Sequence, residues 1–354
     1  MDKISKFYKN KKVFVTGHTG FKGSWLVSVL LKCGSKVVGY SKNDSKRKNY
    51  ENFVNYKKVK NIYGDILDKK KLIQSLRKHR PDIIFHLAAQ SLVSNSYKDP
   101  VNTFKTNVIG SVNVMEATRF CPKVKSLVMI TSDKCYHNRE IKRGYKEDDI
   151  LGGHDPYSAS KAAAEMAYSS FNKSFFSNNK KIGVASARAG NVIGGGDWSN
   201  DRLIPDCIRA YIKKKNLNIR SPLATRPWQH VLEPVSGYLI LGQKLYTKPK
   251  IYSSSWNFGP QSNQTKSVHD VSKIVMKIID KEKKFKIIIK KSPFKESTLL
   301  KLNSNKAKNK LNWKTRWTMN NSIKQAAIWY DFYLNKKDMK KVTENQINHY
   351  YENN

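Results

Sequence analysis

The chain has 354 residues, of which 39% are hydrophobic, and carries 14 Phe, 18 Tyr and 7 Trp. That excludes a disordered chain and allows a large buried core, while no apolar run reaches the roughly 18 residues that would span a bilayer. The net charge of +40 would suit a nucleic-acid or anionic-membrane partner, but Lys is spread over the whole length without a nucleic-acid motif, so the plainer reading is a lysine-rich surface of biased composition.

The first twelve residues lack the apolar stretch of a signal peptide. Lys12-Val13-Phe14-Val15-Thr16 then reads as a buried strand, followed by a turn with Gly17, Gly20, Phe21, Lys22 and Gly23, and by a helix over 24–31 that ends near Gly34. Further strands are expected at 37–40, 59–63, 83–87, 127–130 and 182–187, with helices at about 68–79, 101–119 and 157–175. Such alternation predicts an α/β fold, a doubly wound parallel sheet of Rossmann type. After residue 190 the elements become shorter and more mixed, which predicts a Rossmann domain over 1–190 and a smaller, mainly substrate-binding C-terminal lobe over 191–354, with some segments returning to the sheet. The charge run 281–291 around Ile287-Ile288-Ile289 reads as a surface strand.

Gly17-x-x-Gly20-x-x-Gly23 between a strand and a helix is a phosphate-binding turn. Glycines let the backbone approach a pyrophosphate, and the helix N-terminus favours its charge. A carboxylate about 20 residues further on would hold the adenine ribose of NAD, and Asp44 fits. Lys42, Lys46 and Arg47 beside it could instead meet a 2′-phosphate; NAD is the favoured reading. Asp65 and Ile66, ending the third strand, are expected near adenine. Leu87, Ala88 and Ala89, ending the fourth, offer small side chains to the cofactor, and His86 reads as a packed core residue.

Residues 131–161 carry the candidate chemistry. Thr131-Ser132-Asp133-Lys134 ends a strand, Gly152-Gly153-His154-Asp155-Pro156 closes a loop, and Tyr157-Ser-Ala-Ser-Lys161 opens a helix. Tyr157 and Lys161 lie one turn apart on one face, so the ammonium is expected to lower the phenol's pKa and make Tyr157 an acid/base for a sugar hydroxyl. The spacing alone says little, because Tyr-x-x-x-Lys occurs at six positions, starting at Tyr8, Tyr56, Tyr157, Tyr211, Tyr246 and Tyr333. Only Tyr157 follows a Ser-Asp-Lys strand end and a proline-marked helix start. The four cysteines (33, 121, 135 and 207) form no C-x-x-C pair and have no histidine at ligand spacing, which predicts reduced thiols in the cytoplasm and no metal site.

Together these residues resemble the extended short-chain dehydrogenase/reductases and, among them, the CDP-glucose 4,6-dehydratases. The likeness runs from about Lys12 to Trp317. It rests on His18-Thr-Gly-Phe-Lys-Gly-Ser-Trp25, Thr131-Ser-Asp-Lys-Cys-Tyr136, Gly152-Gly-His-Asp-Pro-Tyr157, Arg188-Ala-Gly-Asn-Val-Ile-Gly-Gly-Gly-Asp-Trp198, Arg202-Leu-Ile-Pro-Asp206 and Arg226-Pro-Trp-Gln-His-Val-Leu-Glu-Pro234. Ser-Asp-Lys is the sharpest of these, since related dehydratases carry Thr-Asp-Glu there; the heavy lysine load outside the motifs is the main departure. The resemblance implies NAD as cofactor, a nucleotide-sugar substrate and a homodimer formed through the helices at 101–119 and 157–175. It also implies catalytic roles for Ser132, Asp133, Lys134, Tyr157 and Lys161, and substrate contacts from Asn191, Arg202 and Arg226. His230 could assist them or cap its loop. Trp198, Trp228 and Trp256 could stack on a base but read first as core residues. A nucleotide-sugar epimerase or reductase would share the Tyr–Lys pair without needing Asp133-Lys134. A non-catalytic dinucleotide- or nucleic-acid-binding protein would not need the catalytic side chains at all.

Overall fold

The computed structural model describes residues 2–44, 46–177, 181–219, 221–260, 265–282, 284–289 and 300–352. Six strands come from the chain before residue 190: β1 (Lys12–Thr16), β2 (Lys36–Ser41), β3 (Lys60–Tyr63), β4 (Ile83–His86), β5 (Ser126–Ile130) and β6 (Gly183–Arg188). They form one parallel sheet in the order β6-β5-β4-β1-β2-β3. A seventh strand, Ser255–Asn257, pairs in parallel with the outer edge of β6. Val13, Phe14, Val15, Ile83, Ile84 and Phe85 are fully buried, as continuous apolar runs covered on both faces require. The chain winds outward from β1 to β3 and then returns to place β4 on the other side of β1. That reversal opens a crevice over the carboxyl ends of the central strands.

Local chemistry sets the helix boundaries. The helix Phe21–Lys32 is followed by Gly34 at φ +74°. Lys69–His79 starts on Asp68, whose carboxylate accepts the Lys71 amide at 2.9 Å. Pro156–Phe171 starts on Asp155, which accepts the Ser158 amide at 3.0 Å, with Pro156 in the first turn where no amide is needed. The expected helix 101–119 is interrupted: Pro100–Phe104 runs into a π-helical turn, Lys105–Ile109, before Gly110–Arg119.

Beyond residue 190 the chain does two things. Part of it completes the Rossmann layers, since Ser255–Asn257 extends the sheet and the helix Leu232–Thr247 buries Leu239, Leu241 and Leu245 completely. The rest forms short ribbons, Gln229–His230 with Val192–Ile193 and Thr225–Arg226 with Lys266–Ser267, and the helices Val268–Ile279, Met319–Leu334 and Met339–Glu352. Ile287–Ile289 is a strand, paired in parallel with Leu217–Ile219 and with Ile289 exposed; residues 283, 290 and 291 of that charge run lie outside the described residues.

Candidate active site

The Gly-rich turn lies in the crevice. Gly17 takes φ +70°, and an added Cβ would come within 2.6 Å of the Ala88 amide nitrogen. A Cβ at Gly23 would collide with the Gly17 carbonyl. The helix Phe21–Lys32 begins at Gly20 without a side-chain cap, and its ladder opens with Ser24 N–H to Gly20 O at 2.8 Å. The amides before Ser24 therefore have no helical acceptor, which is the arrangement a pyrophosphate fits. His18 ties the turn to the neighbouring strands through Ser41 Oγ (2.7 Å) and Asn61 Oδ1 (2.9 Å), and burial pushes its pKa down to about 4.

The other expected cofactor residues are divided. Leu87, Ala88 and Ala89 follow β4 beside the turn and are half-buried. Ile66 is buried against Gly110. Asp44 is exposed on the loop after β2. Of the three cations expected beside it, Lys42 pairs with Asp65 at 2.9 Å, and Arg47 pairs with Glu51 at 2.6 Å and lies over the Tyr63 ring; the Lys46 side chain lies outside the described residues. His86 is a core residue, held by Thr16 Oγ1 at 2.7 Å and Ser111 Oγ at 3.1 Å.

At the next strand end, Ser132 donates to Asp133 Oδ1 at 2.9 Å and lies close enough to the Tyr157 phenol to lower its pKa. Asn191, in a left-handed conformation at φ +52°, reaches Asp133 Oδ2 at 3.5 Å. Gly190 is needed beside it, because any Cβ there would strike the Asp133 carboxylate. Lys134 follows on the same short turn, Asp133–Cys135, and is half-buried. Tyr157 and Lys161 share a face of Pro156–Phe171 and are both buried. The expected lowering of the Tyr157 pKa is not found. Burial pushes the phenol up to about 12, outweighing the influence of Ser132, and the same burial pushes Lys161 down to about 8. The protein alone therefore holds Tyr157 as a neutral phenol.

Arg202 pairs with Asp197 at 3.1 Å and is close enough to Tyr157 to influence its ionisation. Arg226 is half-buried on its ribbon, with a guanidinium N–H donating to Thr225 O at 3.0 Å. His230 caps its loop: it is fully buried, accepts the Leu232 amide at 3.3 Å and lies between the Trp25 and Trp317 rings. That burial removes it from reach of a ligand in the crevice. Trp256 is core, Trp198 packs on Tyr330 and Tyr333, and the Trp228 indole donates to Lys266 O.

Three features were not anticipated. Glu165, one turn beyond Lys161, accepts hydrogen bonds from Thr131 (2.5 Å), Ser186 (2.8 Å) and Arg188 (2.7 Å), all buried. Asn107, inside the π-helical turn, holds Ser160 Oγ at 2.8 Å and Gln90 O at 3.0 Å. Lys22 directs its charge toward Asp133 and Arg202. A carboxylate on the buried face of the Tyr157 helix was the available signal for Glu165; the Asn107 contacts span too much sequence to leave one.

Such a sheet, with Tyr157, Lys161 and a Ser-Asp pair at its strand ends, defines an enzyme of the extended short-chain dehydrogenase/reductase type. Within it the chain belongs to the nucleotide-sugar 4,6-dehydratases, since residues 14–326 match the family described as GDP-mannose 4,6 dehydratase. It is 41% identical over 349 residues, 97% of each chain, to the CDP-glucose 4,6-dehydratase of Salmonella typhimurium. Its fold is similar to that of an epimerase from Methanothermobacter thermautotrophicus (24% identity, TM-score 0.82, 96% of this chain and 97% of that one). It is also similar to a dTDP-glucose 4,6-dehydratase from Bacillus anthracis in complex with NAD (22% identity, TM-score 0.76, 94% and 99%). Among the described residues no helix is long and apolar enough to cross a membrane.

Proposed function

We propose that this protein dehydrates CDP-D-glucose to CDP-4-keto-6-deoxy-D-glucose using NAD, as a cytoplasmic homodimer. The observation that carries the reading is the cluster at the mouth of the Gly-rich turn, where Ser132 and Asn191 both hydrogen-bond Asp133 and the buried Tyr157 phenol lies beside them. The identity to the Salmonella CDP-glucose enzyme supports the choice of substrate.

Bound NAD would supply a hydride acceptor for sugar carbon 4 and a hydride donor for carbon 6. The uncapped helix start at Gly20 and the small side chains of Ala88 and Ala89 fit its pyrophosphate and ribose. Engagement of Lys42 and Arg47 with carboxylates favours NAD over a 2′-phosphorylated cofactor. Lys161 would hold the nicotinamide ribose. With a cationic nicotinamide ring bound nearby to lower its pKa, Tyr157 would act as the phenolate and take the proton of the carbon-4 hydroxyl, and Ser132 would hydrogen-bond the same oxygen. The resulting ketone acidifies carbon 5, where Lys134 would serve as base in its free-amine form; as an ammonium it would instead stabilise the developing enolate, with another group or a water taking the proton. Asp133 protonates the hydroxyl leaving carbon 6. No net redox change results. Asn191, Arg202 and Arg226 are the proposed substrate contacts, Arg being suited to phosphate by its planar fork.

For the homodimer, the supporting feature is an apolar patch where Pro100–Phe104 and the π-helical turn meet Ala163 of the helix Pro156–Phe171, with Val101 62% exposed and Ile109 51% exposed. Sedimentation as a monomer at micromolar concentration would remove that part of the proposal. The four cysteines are unpaired and buried, as suits a reducing compartment.

The substrate assignment is tested by comparing CDP-glucose, dTDP-glucose and GDP-mannose. CDP-glucose should exceed dTDP-glucose in kcat/KM by at least about tenfold, or ~1.4 kcal/mol in transition-state free energy. Equal efficiencies would remove the CDP assignment and leave the dehydratase chemistry standing.

A further inference from the structure

Lys22 sits in the phosphate-binding turn, yet its side chain serves the other half of the crevice. It is the second residue of the helix Phe21–Lys32. The residues on either side of it in space clamp this helix end against the loop 194–198. The Phe21 ring lies against Gly194, and the Trp25 indole donates to Gly195 O at 2.9 Å. That docking brings the Lys22 ammonium among Arg202, Asp133, Lys161 and Asp197.

The two carboxylates are served by other donors. Asp197 receives Arg202 at 3.1 Å and the Ser199 amide at 3.0 Å. Asp133 receives Ser132 at 2.9 Å and Asn191 at 3.5 Å. Among the described residues Lys22 makes no hydrogen bond and no ion pair. Both carboxylates near Lys22 are thus already bonded by other donors, and its ammonium has no carboxylate of its own.

A half-buried, unmatched ammonium calls for an anion. We propose that Lys22 binds the substrate, its ammonium acting with the Arg202 guanidinium to hold the diphosphate of the nucleotide sugar, while the backbone amides of the same turn hold the cofactor. The inference rests on the proposed use of a nucleoside-diphosphate sugar, not on which base it carries. The division of labour follows from chemistry. Glycines expose amides to the cofactor's pyrophosphate without any side chain, whereas Lys22 projects toward the reacting residues. Burial, followed by the charges of Arg202 and Lys161, pushes the Lys22 pKa down to about 8, and an anion placed between these cations would oppose that shift.

The experiment is calorimetric titration of the NAD-loaded protein with CDP, dTDP and UDP, alongside a separate titration of NAD. Lys22→Met should weaken whichever nucleoside diphosphate binds by about 10- to 100-fold, the worth of a charge-assisted hydrogen bond, and leave NAD affinity within about threefold. Lys22→Arg, which keeps the charge, should retain most of the diphosphate affinity. Unchanged diphosphate affinity in Lys22→Met, or a loss of NAD affinity as large as that for the diphosphate, would overturn the assignment. Because three bases are compared, a wrong choice of CDP would appear as a different preferred ligand and leave the Lys22 effect readable.

Discussion

Tyr157 is held as a phenol with a pKa near 12 in a buried pocket, so its chemistry depends on what is brought to it. The neighbouring Ser132 and the charge of Arg202 both lower that pKa, but burial wins. A cationic nicotinamide ring nearby would add to the lowering side. Tyr157→Phe should therefore lower kcat by roughly two to four orders of magnitude, the worth of a positioned acid/base, with NAD affinity little changed because the turn holds the cofactor. Near-normal turnover in that variant would locate the chemistry elsewhere. Tyr157 itself was legible because a Ser-Asp-Lys strand end and Asp155-Pro156 surround it. The fate of His230 was not: its ring is trapped between Trp25 and Trp317, residues 205 and 87 positions away, and no local pattern reports such packing.

The elements that carry Tyr157 and Ser132 are locked together by one buried ion pair. Glu165, in the Tyr157 helix, meets Arg188 of β6 at 2.7 Å and Thr131 at 2.5 Å, next to Ser132. Arg188 continues to the Tyr136 hydroxyl at 2.7 Å, and Tyr136 to Asn257 of the edge strand at 2.7 Å. Arg188 holds the Glu165 carboxyl below the usual range against the burial that opposes it. Removing one partner leaves a buried charge alone. Glu165→Ala should cost about 3–5 kcal/mol in chemical denaturation. A loss below about 1 kcal/mol would show that the network bears little of the fold. The central strands of this sheet were readable as apolar runs bounded by glycine and polar turns. Ser255–Asn257 was not, because three residues with polar ends leave no periodicity, and neither was the π-helical turn at Lys105–Ile109, which tertiary contacts of Asn107 hold open.

Across the whole molecule, acid should be the main threat to stability. His18, His86 and His230 are buried and neutral, with pKa values pushed down by burial to about 4, 3 and 3. Each folded-state value lies below the unfolded value near 6.5, so the unfolded chain binds more protons as pH falls. Their stabilisation is complete above about pH 6.5 and is lost progressively toward pH 3–4. Glu233, raised by burial to about 7, and Glu147, also raised by burial, work in the opposite direction, against the three histidines and the lowered carboxyl of Glu165. The denaturation midpoint should fall steadily from pH 6.5 to pH 4, and a flat profile would contradict these burials. The charge of +40 adds self-repulsion at every pH and draws anions toward the protein, including a nucleotide sugar. The central claim is that hydride leaves carbon 4 and returns to carbon 6 of one sugar, and it is tested most directly with CDP-glucose deuterated at carbon 4. The account predicts a 4-keto product with the deuterium in its carbon-6 methyl group and no net accumulation of reduced cofactor. Deuterium retained at carbon 4 without loss of water, or reduced cofactor formed in step with product, would contradict it.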